Sequence, residues 1–320
     1  MSEKTLQNRH EILFLYDVSW ANPNGDPMDE NKPRIDEETG INIVTDVRLK
    51  RTVRDALMEM GHEIFLREVS TDDGNRKTKE DLVQEYGSPQ KILERCVDIR
   101  LFGGTFALQR KKKRGKDTST DEDKEVPAFS LTGPVQFKFG HSLHEVKVAF
   151  VQGTTVMPSK EGKRQGTITE VYVVPYSLIV FYGIANEKAA ATTNLTEDDL
   201  NAMFQALWVG HKAGTDVITR SKFGHEPRLL LDIVYKPGTL THMGELDKLV
   251  AFHSEKNDEA IRDITDGVVG LSALAEKVAA YKDKIEKVRV QVGDRVRLEP
   301  GLEAVFAGVP LESFPWSGTP

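Results

Sequence analysis

The chain has 320 residues, of which 39% are hydrophobic, a size and composition compatible with one large or two ordinary globular domains. Its formal net charge of -7 excludes a protein that coats nucleic acid over its whole surface, because long-range repulsion from the polyanion would oppose binding. The single cysteine, Cys96, excludes an internal disulfide and a cysteine-based zinc site within one chain. The N-terminus is polar and lacks the apolar stretch of a secretory signal. Together with the single cysteine, it indicates a cytoplasmic protein.

The charges are segregated along the chain, although their sum is negative. Basic residues concentrate at 48–54, 110–116, 160–164 and 212–228. Acidic residues concentrate at 68–85, 117–125, 196–199 and 255–266. A polyanion could therefore lie in a basic groove while the rest of the surface stays acidic.

The first part of the chain predicts a strand, a loop, a helix and a return strand. The apolar run 12–18 is typical of a buried strand, and the turn formers at 22–27 end it. Thr45 is the predicted N-cap of a helix that keeps its apolar residues on one side and ends at Gly61. Residues 64–69 are expected to form the return strand.

Residues 70–128 are predicted to be an insertion. They contain many charges and a helix pattern at 89–101. The basic tract 110–116 and the acidic residues 117–125 have too little apolar content to pack, so they predict a mobile loop.

Strand patterns resume at 131–139, 145–152 and 170–182. Residues 153–166, between the last two, predict a protruding basic hairpin with Val156 and Met157 near its end.

The C-terminal half predicts helices before a final strand. Thr196 and Asp199 form a capping-box pattern ahead of a second amphipathic helix. Residues 259–287 are predicted to be mostly helical. Residues 288–298 alternate between apolar and polar side chains, which predicts a strand. The last twenty residues are expected to form an irregular tail.

Without the insertions, the predicted order is strand, helix, strand, further strands, helix, strand. This is the ferredoxin-like order that RNA-recognition domains use. The predicted fold class is therefore α+β with a modified ferredoxin-like core. Such an order does not by itself establish a function.

The segment 219–228 concentrates groups that bind phosphate, just before an apolar run. Arg220 and Arg228 can make forked hydrogen bonds to phosphate, and Lys222 adds a point charge. Thr219 and Ser221 can donate to the same backbone. The segment predicts a phosphate-binding loop, with a solvated basic loop as the alternative.

Five ordered motifs resemble the backbone subunit of type I CRISPR Cascade complexes, closest to the type I-B branch. They are LYDV at 15–18 with NPNGDP at 22–27, TDVRLKRTVR at 45–54, DIRLFGG at 98–104, LTGPVQF at 131–137 and TRSKFGHEPR at 219–228. The resemblance spans roughly residues 11–235. Five motifs in one order indicate the family more strongly than any one of them does.

The resemblance implies a protein without catalytic residues, metal or cofactor, built like a hand. The palm would comprise 1–69 and 129–300, the fingers 70–128, the thumb hairpin about 140–172 and the tail 301–320. Copies would assemble head to tail along a guide RNA (crRNA), and each thumb would kink the RNA of its neighbour. Target DNA would pair with the guide, and other Cascade subunits would complete the particle.

The predicted contact residues form three sets. The RNA-binding set is Asn22, Asn24, Gly25, Arg48, Lys50, Arg51, Arg54, Gly103, Gly104, Gln136, Lys212, Thr219, Arg220, Ser221, Lys222 and Arg228. The thumb wedge is Val156, Met157, Lys160, Lys163 and Arg164, whose apolar members suit insertion into a base step. A possible contact with target DNA is Arg110, Lys111, Lys112, Lys113 and Arg114. A solvated helix face remains the alternative for Lys50, Arg51 and Arg54, and a subunit contact for Met157.

Two other functions fit parts of the sequence. Asp26, Asp29 and Asp36 could hold Mg²⁺ in a metal-dependent RNA endonuclease, although the turn chemistry around them explains their presence without a metal. A stand-alone RNA-binding protein would fit the fold order equally well and would be a monomer with sequence preference. His141 and His144 have a zinc-like spacing but no third ligand nearby.

Overall fold

The computed structural model describes residues 5–70, 73–106, 129–154, 168–212 and 220–316. Its strands are β1 (His10–Ala21), β2 (Gly25–Asp26), β3 (Lys32–Pro33), β4 (Ile41–Val44), β5 (Gly103–Phe106), β6 (Phe129–Thr132), β7 (Val135–Phe137), β8 (Gly140–Glu145), β9 (Ala149–Thr154), β10 (Ile168–Ala185), β11 (His225–Tyr235), β12 (Ala251–Ser254), β13 (Gly267–Gly270), β14 (Ile285–Val292), β15 (Leu298–Glu299) and β16 (Leu311–Ser313). Its helices are α1 (Asp46–Glu59), α2 (Lys79–Tyr86), α3 (Pro89–Arg95), α4 (Val97–Phe102), α5 (Glu187–Thr193), α6 (Glu197–Val209), α7 (Ser272–Tyr281) and α8 (Leu302–Val305). The fold is therefore a mixed α+β fold, as the sequence predicts.

β1 lies inside the main sheet, whose strand order is β16-β14-β11-β1-β10-β8-β4. It pairs antiparallel with β10 on one side and β11 on the other, so that Phe14 lies opposite both Phe181 and Leu230. Every residue of β1 from His10 to Val18 is buried, which explains its nearly continuous apolar sequence.

The main sheet separates two hydrophobic cores, because alternate residues of a strand point to opposite faces. On one face Phe14 and Tyr16 pack with residues of α1 and α6. On the other face Leu13 and Leu15 pack with residues of the C-terminal segment, including α7. A smaller third core joins Phe65 to residues of α2, α3 and α4.

α1 begins where the sequence predicts it. The Thr45 hydroxyl accepts a hydrogen bond from the Arg48 backbone N–H at 3.3 Å, and itself donates to Asn24 Oδ1 at 2.9 Å. This cap fixes Arg48 in the first turn of α1, close to the loop that follows β1. The capping box of Thr196 and Asp199 at the start of α6 is confirmed as well.

The predicted return strand at 64–69 is wrong. The backbone N–H groups of Phe65 and Leu66 donate to the buried Asp98 carboxylate, at 2.8 Å and 3.1 Å, and do not pair with a strand. The helix expected at 89–101 is interrupted at Cys96, whose ψ of 108° is extended, so it forms α3 and α4 separately.

Two C-terminal predictions also need correction. Within 259–287, α7 is the one α-helix, and the strand β13 precedes it. The tail predicted to be irregular contains α8 and β16, because Phe306 and Phe314 are buried and anchor it to the two cores. Among the described residues, no helix is long and apolar enough to cross a membrane.

Candidate nucleic-acid interface

The phosphate-binding loop predicted at 219–228 lies against the end of β1. The Ser19 N–H donates to the Gly224 carbonyl oxygen and the Asn22 N–H to the Ser221 carbonyl oxygen, each at 2.9 Å. A Cβ at Gly224 would stand 1.9 Å from the Ser19 carbonyl oxygen, so a residue larger than glycine would separate the two segments. The loop is therefore fixed beside the residues that follow β1.

Lys222 lies partly buried in this pairing. Its ammonium donates to the backbone carbonyl oxygens of Asn22 and, at 3.0 Å, of Pro23. Burial and, to a smaller extent, the nearby Arg48 together lower the pKa of Lys222 to about 7. Two neutral carbonyl groups hold the ammonium in place but do not cancel its charge.

Arg48 is half-buried beside Lys222, and burial lowers its pKa. Asp55, a carboxylate that opposes this shift, lies 3.6 Å from Arg51. In the part of the chain that the structure describes, no carboxylate forms an ion pair with Arg48. Its positive charge is therefore not compensated there.

Two buried histidines complete the surroundings of these cations. The rings of His211 and His225 stack with centroids 6.2 Å apart, and Tyr16 lies 4.5 Å from His211. Burial lowers the pKa of His211 to about 3, while burial and then His211 lower that of His225 well below its usual value. We call Arg48, His211, Lys222 and His225 the basic cluster. The buried His225 Nε2 has no hydrogen-bond partner among the described residues.

The other cations of α1 are held by neighbouring carboxylates. Lys50 lies 3.0 Å from Asp46, and Arg54 lies 3.0 Å from Asp98. Both cations also stack over the Phe102 ring, at 5.6 Å and 5.2 Å from its centroid. The exposed Arg51, in contrast, lies farther from its two partners, at 3.6 Å from Asp55 and 3.8 Å from Glu68.

Arg228 lies in the interior and not in the basic cluster. Its Nε donates to Asp17 at 2.8 Å and its Nη1 to the Asp294 carbonyl oxygen at 3.2 Å. Tyr176 donates its hydroxyl to the same Asp17 carboxylate at 3.0 Å. Burial raises the pKa of Asp17 to about 6, and Arg228 opposes that rise. The prediction that Arg228 faces a phosphate therefore needs correction, because the side chain is buried in an ion pair.

Several uncharged residues of the predicted RNA-binding set have structural contacts. Asn22 donates to the Asn31 carbonyl oxygen at 2.7 Å, and Gln136 to the Gly133 carbonyl oxygen at 2.9 Å. Gly103 has a φ of +70°, and a Cβ there would stand 2.2 Å from the Leu131 carbonyl oxygen. The remaining members, Asn24, Gly25 and Gly104, lie at the α1 cap, in β2 and in β5.

The structure places Lys212 and Ser221 on the surface. Thr219 and the side chain of Arg220 lie outside the described residues. So do the whole thumb wedge and the basic tract from Arg110 to Arg114. Their predicted contacts remain predictions.

The acids of the nuclease alternative are engaged locally. Asp26 lies 2.6 Å from Arg34, Asp29 lies 2.7 Å from Lys32, and Asp36 accepts from the Thr39 hydroxyl at 2.7 Å. Within the described ranges, no three histidine, cysteine or acidic residues are grouped as metal ligands.

The histidines that raised the possibility of zinc also have local partners. Both ring nitrogens of His144 hydrogen-bond to backbone groups, of Glu145 at 2.9 Å and Leu178 at 3.3 Å. His141 lies 4.0 Å from Asp247, and burial lowers its pKa. Hydrogen bonding explains His144, and His141 lies beside the carboxylate of Asp247.

Comparison with known proteins decides the family. The family model described as CRISPR-associated protein Cas7 matches residues 8–272. The chain belongs to the Cas7 family. A Cas7 protein of Haloferax volcanii is 31% identical over 320 residues, which cover 95% of this chain and 92% of that protein.

The fold of this Cas7 chain also resembles solved structures. A chain of a pre-nicking CRISPR RNA-guided surveillance complex matches with a TM-score of 0.55 and 12% identity, over 95% of this chain and 96% of that one. A chain of a second CRISPR RNA-guided surveillance complex matches with a TM-score of 0.52 and 13% identity, over 93% and 96% of the two chains. The shared fold extends over almost the whole length of each.

Two aromatic residues next to the basic cluster of this Cas7 chain were not predicted as site residues. Trp20 and Phe223 are both exposed, in the two segments that Ser19 and Gly224 join. His211 and His225 were also not predicted. A tryptophan and a phenylalanine beside turn residues were the only sequence signal, and it became informative once the pairing of the two segments was known.

Proposed function

We propose that this chain is a guide-RNA-binding backbone subunit of a CRISPR interference complex and assembles in several copies along the guide. Membership of the Cas7 family and the fold shared with chains of RNA-guided surveillance complexes support this function. The observation that carries it is the basic cluster, where Arg48 and Lys222 lie close together and neither forms an ion pair with a carboxylate among the described residues. An RNA phosphate would supply the missing negative charge.

The proposed RNA contacts centre on Arg48, Lys212, Ser221 and Lys222. Arg220 and Thr219 are adjacent in sequence and remain part of the proposal, as do Lys50 and Arg51 at its margin. Arg54 and Arg228 are omitted, because their side chains are held by Asp98 and Asp17. Recognition of the RNA sugar-phosphate backbone by these residues depends on charge and does not read the base sequence.

The hand-like architecture is supported by the strand order. The central part of the sheet, β11-β1-β10-β8, has the neighbours expected of a ferredoxin-like palm, with β8 in the place of the predicted return strand. The small core around Phe65 and α2 to α4 would be the base of the fingers. The hairpin of β9 and β10 would be the base of the thumb, with the wedge residues at its end.

The proposed function is non-catalytic. The local partners of Asp26, Asp29 and Asp36 favour their interpretation as turn and ion-pair residues over a metal-binding site. Replacement of all three by alanine is therefore expected to leave any RNA processing unchanged. Head-to-tail assembly, target DNA bound through the guide and further subunits of the complex belong to the same proposal, as does the possible DNA contact of the tract 110–114.

The test is a salt titration of RNA binding with the full chain. The variant Arg48→Ala/Lys212→Ala/Lys222→Met should bind single-stranded RNA more weakly for every base sequence. The slope of log affinity against log salt should fall by about 2, since each lost phosphate contact removes about 0.7. Fluorescence anisotropy with labelled RNA measures both quantities.

Lys248→Ala is the matched control, because this exposed lysine pairs with Glu245 and lies outside the proposed site. It should keep the affinity and slope of the unchanged protein. A triple variant with an unaltered slope would contradict the proposal. Monomers with a strong base preference, seen by electron microscopy and competition binding, would favour the stand-alone RNA-binding alternative.

A further inference from the structure

We propose that Trp20 and Phe223 form a stacking site for an unpaired nucleobase beside the basic cluster. The proposal deepens the proposed function and rests on it. The occupant of this site is single-stranded RNA.

The two rings belong to directly opposed positions. Val18 pairs with His225, Ser19 donates to Gly224, and Asn22 donates to Ser221. Counting on along the two segments sets Trp20 opposite Phe223, just beyond the last paired residues of β1 and β11. The close approach that Gly224 permits keeps these two positions together.

The backbone at Trp20 departs from a regular strand. Its φ is +48°, a left-handed value that is uncommon for a residue with a large side chain. On the other side of β1 the residue opposite Trp20 is Pro175, because Ser19 pairs with Tyr176 and Ala21 with Val174. Proline has no N–H to donate, and the pairing of β1 with β10 passes over Trp20. Such a local departure marks a candidate functional position.

Both side chains are exposed although they adjoin a well-packed core. Trp20 is 60% exposed and Phe223 is 64% exposed. Neither ring stacks on another aromatic residue of the described chain. Their faces are thus accessible to a ligand that offers a flat surface of its own.

The surrounding charge selects a nucleobase over an apolar protein segment as the ligand. Lys222 precedes Phe223 directly, Arg48 lies close to Lys222, and the exposed Lys212 follows His211. Cations that bind successive phosphates, next to aromatic rings that bind bases, are the combination found in single-strand binding sites. An unstacked base would lie on the rings while its phosphates contact the cluster.

The test compares two ligands of equal charge. The probes are a fluorescent oligouridylate of about ten nucleotides, within the usual range of single-strand sites, and the same ribose-phosphate chain without bases. Trp20→Ala/Phe223→Ala should bind the oligouridylate about 5- to 100-fold more weakly than the unchanged protein. It should bind the base-free chain equally well and keep the same salt slope, because no cation is lost.

Two further variants guard against trivial explanations. Phe139→Ala removes another exposed aromatic ring, 58% exposed, and should keep full affinity for both probes. Trp20→Phe/Phe223→Tyr retains the flat rings and should restore most of the binding.

Each outcome decides the proposal. Equal binding of the oligouridylate by the double alanine variant and the unchanged protein would overturn the stacking site alone. Failure of the unchanged protein to bind either probe at low salt would overturn the proposed function itself. Loss of self-association without RNA, in the double alanine variant, would assign the rings to a protein contact and overturn the stacking site.

Discussion

The fold treats the cations of the sheet interior and those of the basic cluster in opposite ways. In the interior, Arg228 is paired with Asp17, and Arg289 donates to Asp232 at 2.7 Å while it lies over the Phe204 and Phe314 rings. In the basic cluster, Arg48 and Lys222 have no such carboxylate among the described residues. The same residue types therefore form ion pairs in one region, whereas in the other they form none and are proposed to bind RNA phosphates.

The difference shows how burial changes the value of a charge. When a buried cation loses its carboxylate partner, the cost of removing its charge from water is no longer offset. A buried cation without a carboxylate partner carries that cost already in the free protein. The first arrangement depends on its ion pair for stability. The second arrangement lowers the free energy of unfolding of the free protein, and binding of an anion would offset that cost. Such a trade of stability for binding is common at functional sites.

The largest effect is expected from breaking an interior pair. Arg228→Ala leaves Asp17 buried without its cation, and should lower the free energy of unfolding by about 3–5 kcal/mol. Urea denaturation followed by circular dichroism measures this loss. Arg228→Met/Asp17→Leu, which removes both charges, should lose much less. A single variant as stable as the unchanged protein would show that the pair has no structural role.

An intermediate effect is expected from pH on RNA binding. With a pKa of about 7 in the free protein, Lys222 is charged below pH 7 and increasingly neutral above it. Phosphate binds the charged form, so the affinity should fall between pH 6 and pH 8, by at most about tenfold per pH unit. Stability of the free protein changes in the opposite direction, because the cost of burying the charged lysine is present below pH 7 and is relieved as the pH rises towards the unfolded value of 10.5.

The same anisotropy assay at constant salt measures the pH effect. Lys222→Met should bind more weakly and lose this part of the pH dependence. An unchanged profile in the variant would show that another group titrates. The neighbouring Arg48 keeps its charge throughout this range and does not contribute to the change.

The smallest expected effect is the change in the free energy of unfolding when a cation of the basic cluster is removed. Its sign should differ from that of the interior variant Arg228→Ala. Arg48→Met removes an uncompensated, half-buried charge, and should leave the free energy of unfolding unchanged or raise it by up to about 1 kcal/mol. The same variant should weaken RNA binding. Thermal and urea unfolding in parallel measure the stability. A loss comparable to that of Arg228→Ala would mean that Arg48 has a structural partner of its own.

Local signals in the sequence predicted local structure well. The N-cap of α1 at Thr45 and the capping box of α6 depend on residues three positions apart, so both could be identified from the chain alone. The buried strand β1 was also evident, because a strand covered on both faces is apolar throughout.

Contacts between distant residues account for the errors. Arg228 was assigned to phosphate because its partner Asp17 is 211 residues away. The strand expected at 64–69 was replaced by hydrogen bonds to Asp98, more than thirty residues further on. Trp20 and Phe223 came together only through the pairing of two segments that the sequence separates by most of its length.

β10 links two parts of the protein mechanically. It continues for 18 residues, which at about 3.3 Å per residue is roughly 60 Å, and it pairs with β9 in its first part and with β1 in its second. A single strand therefore joins the hairpin to the centre of the main sheet, with Pro175 close to the point where its partner changes. We expect a force on the outer end of the hairpin to be transmitted along β10 to β1, the strand that contains Trp20.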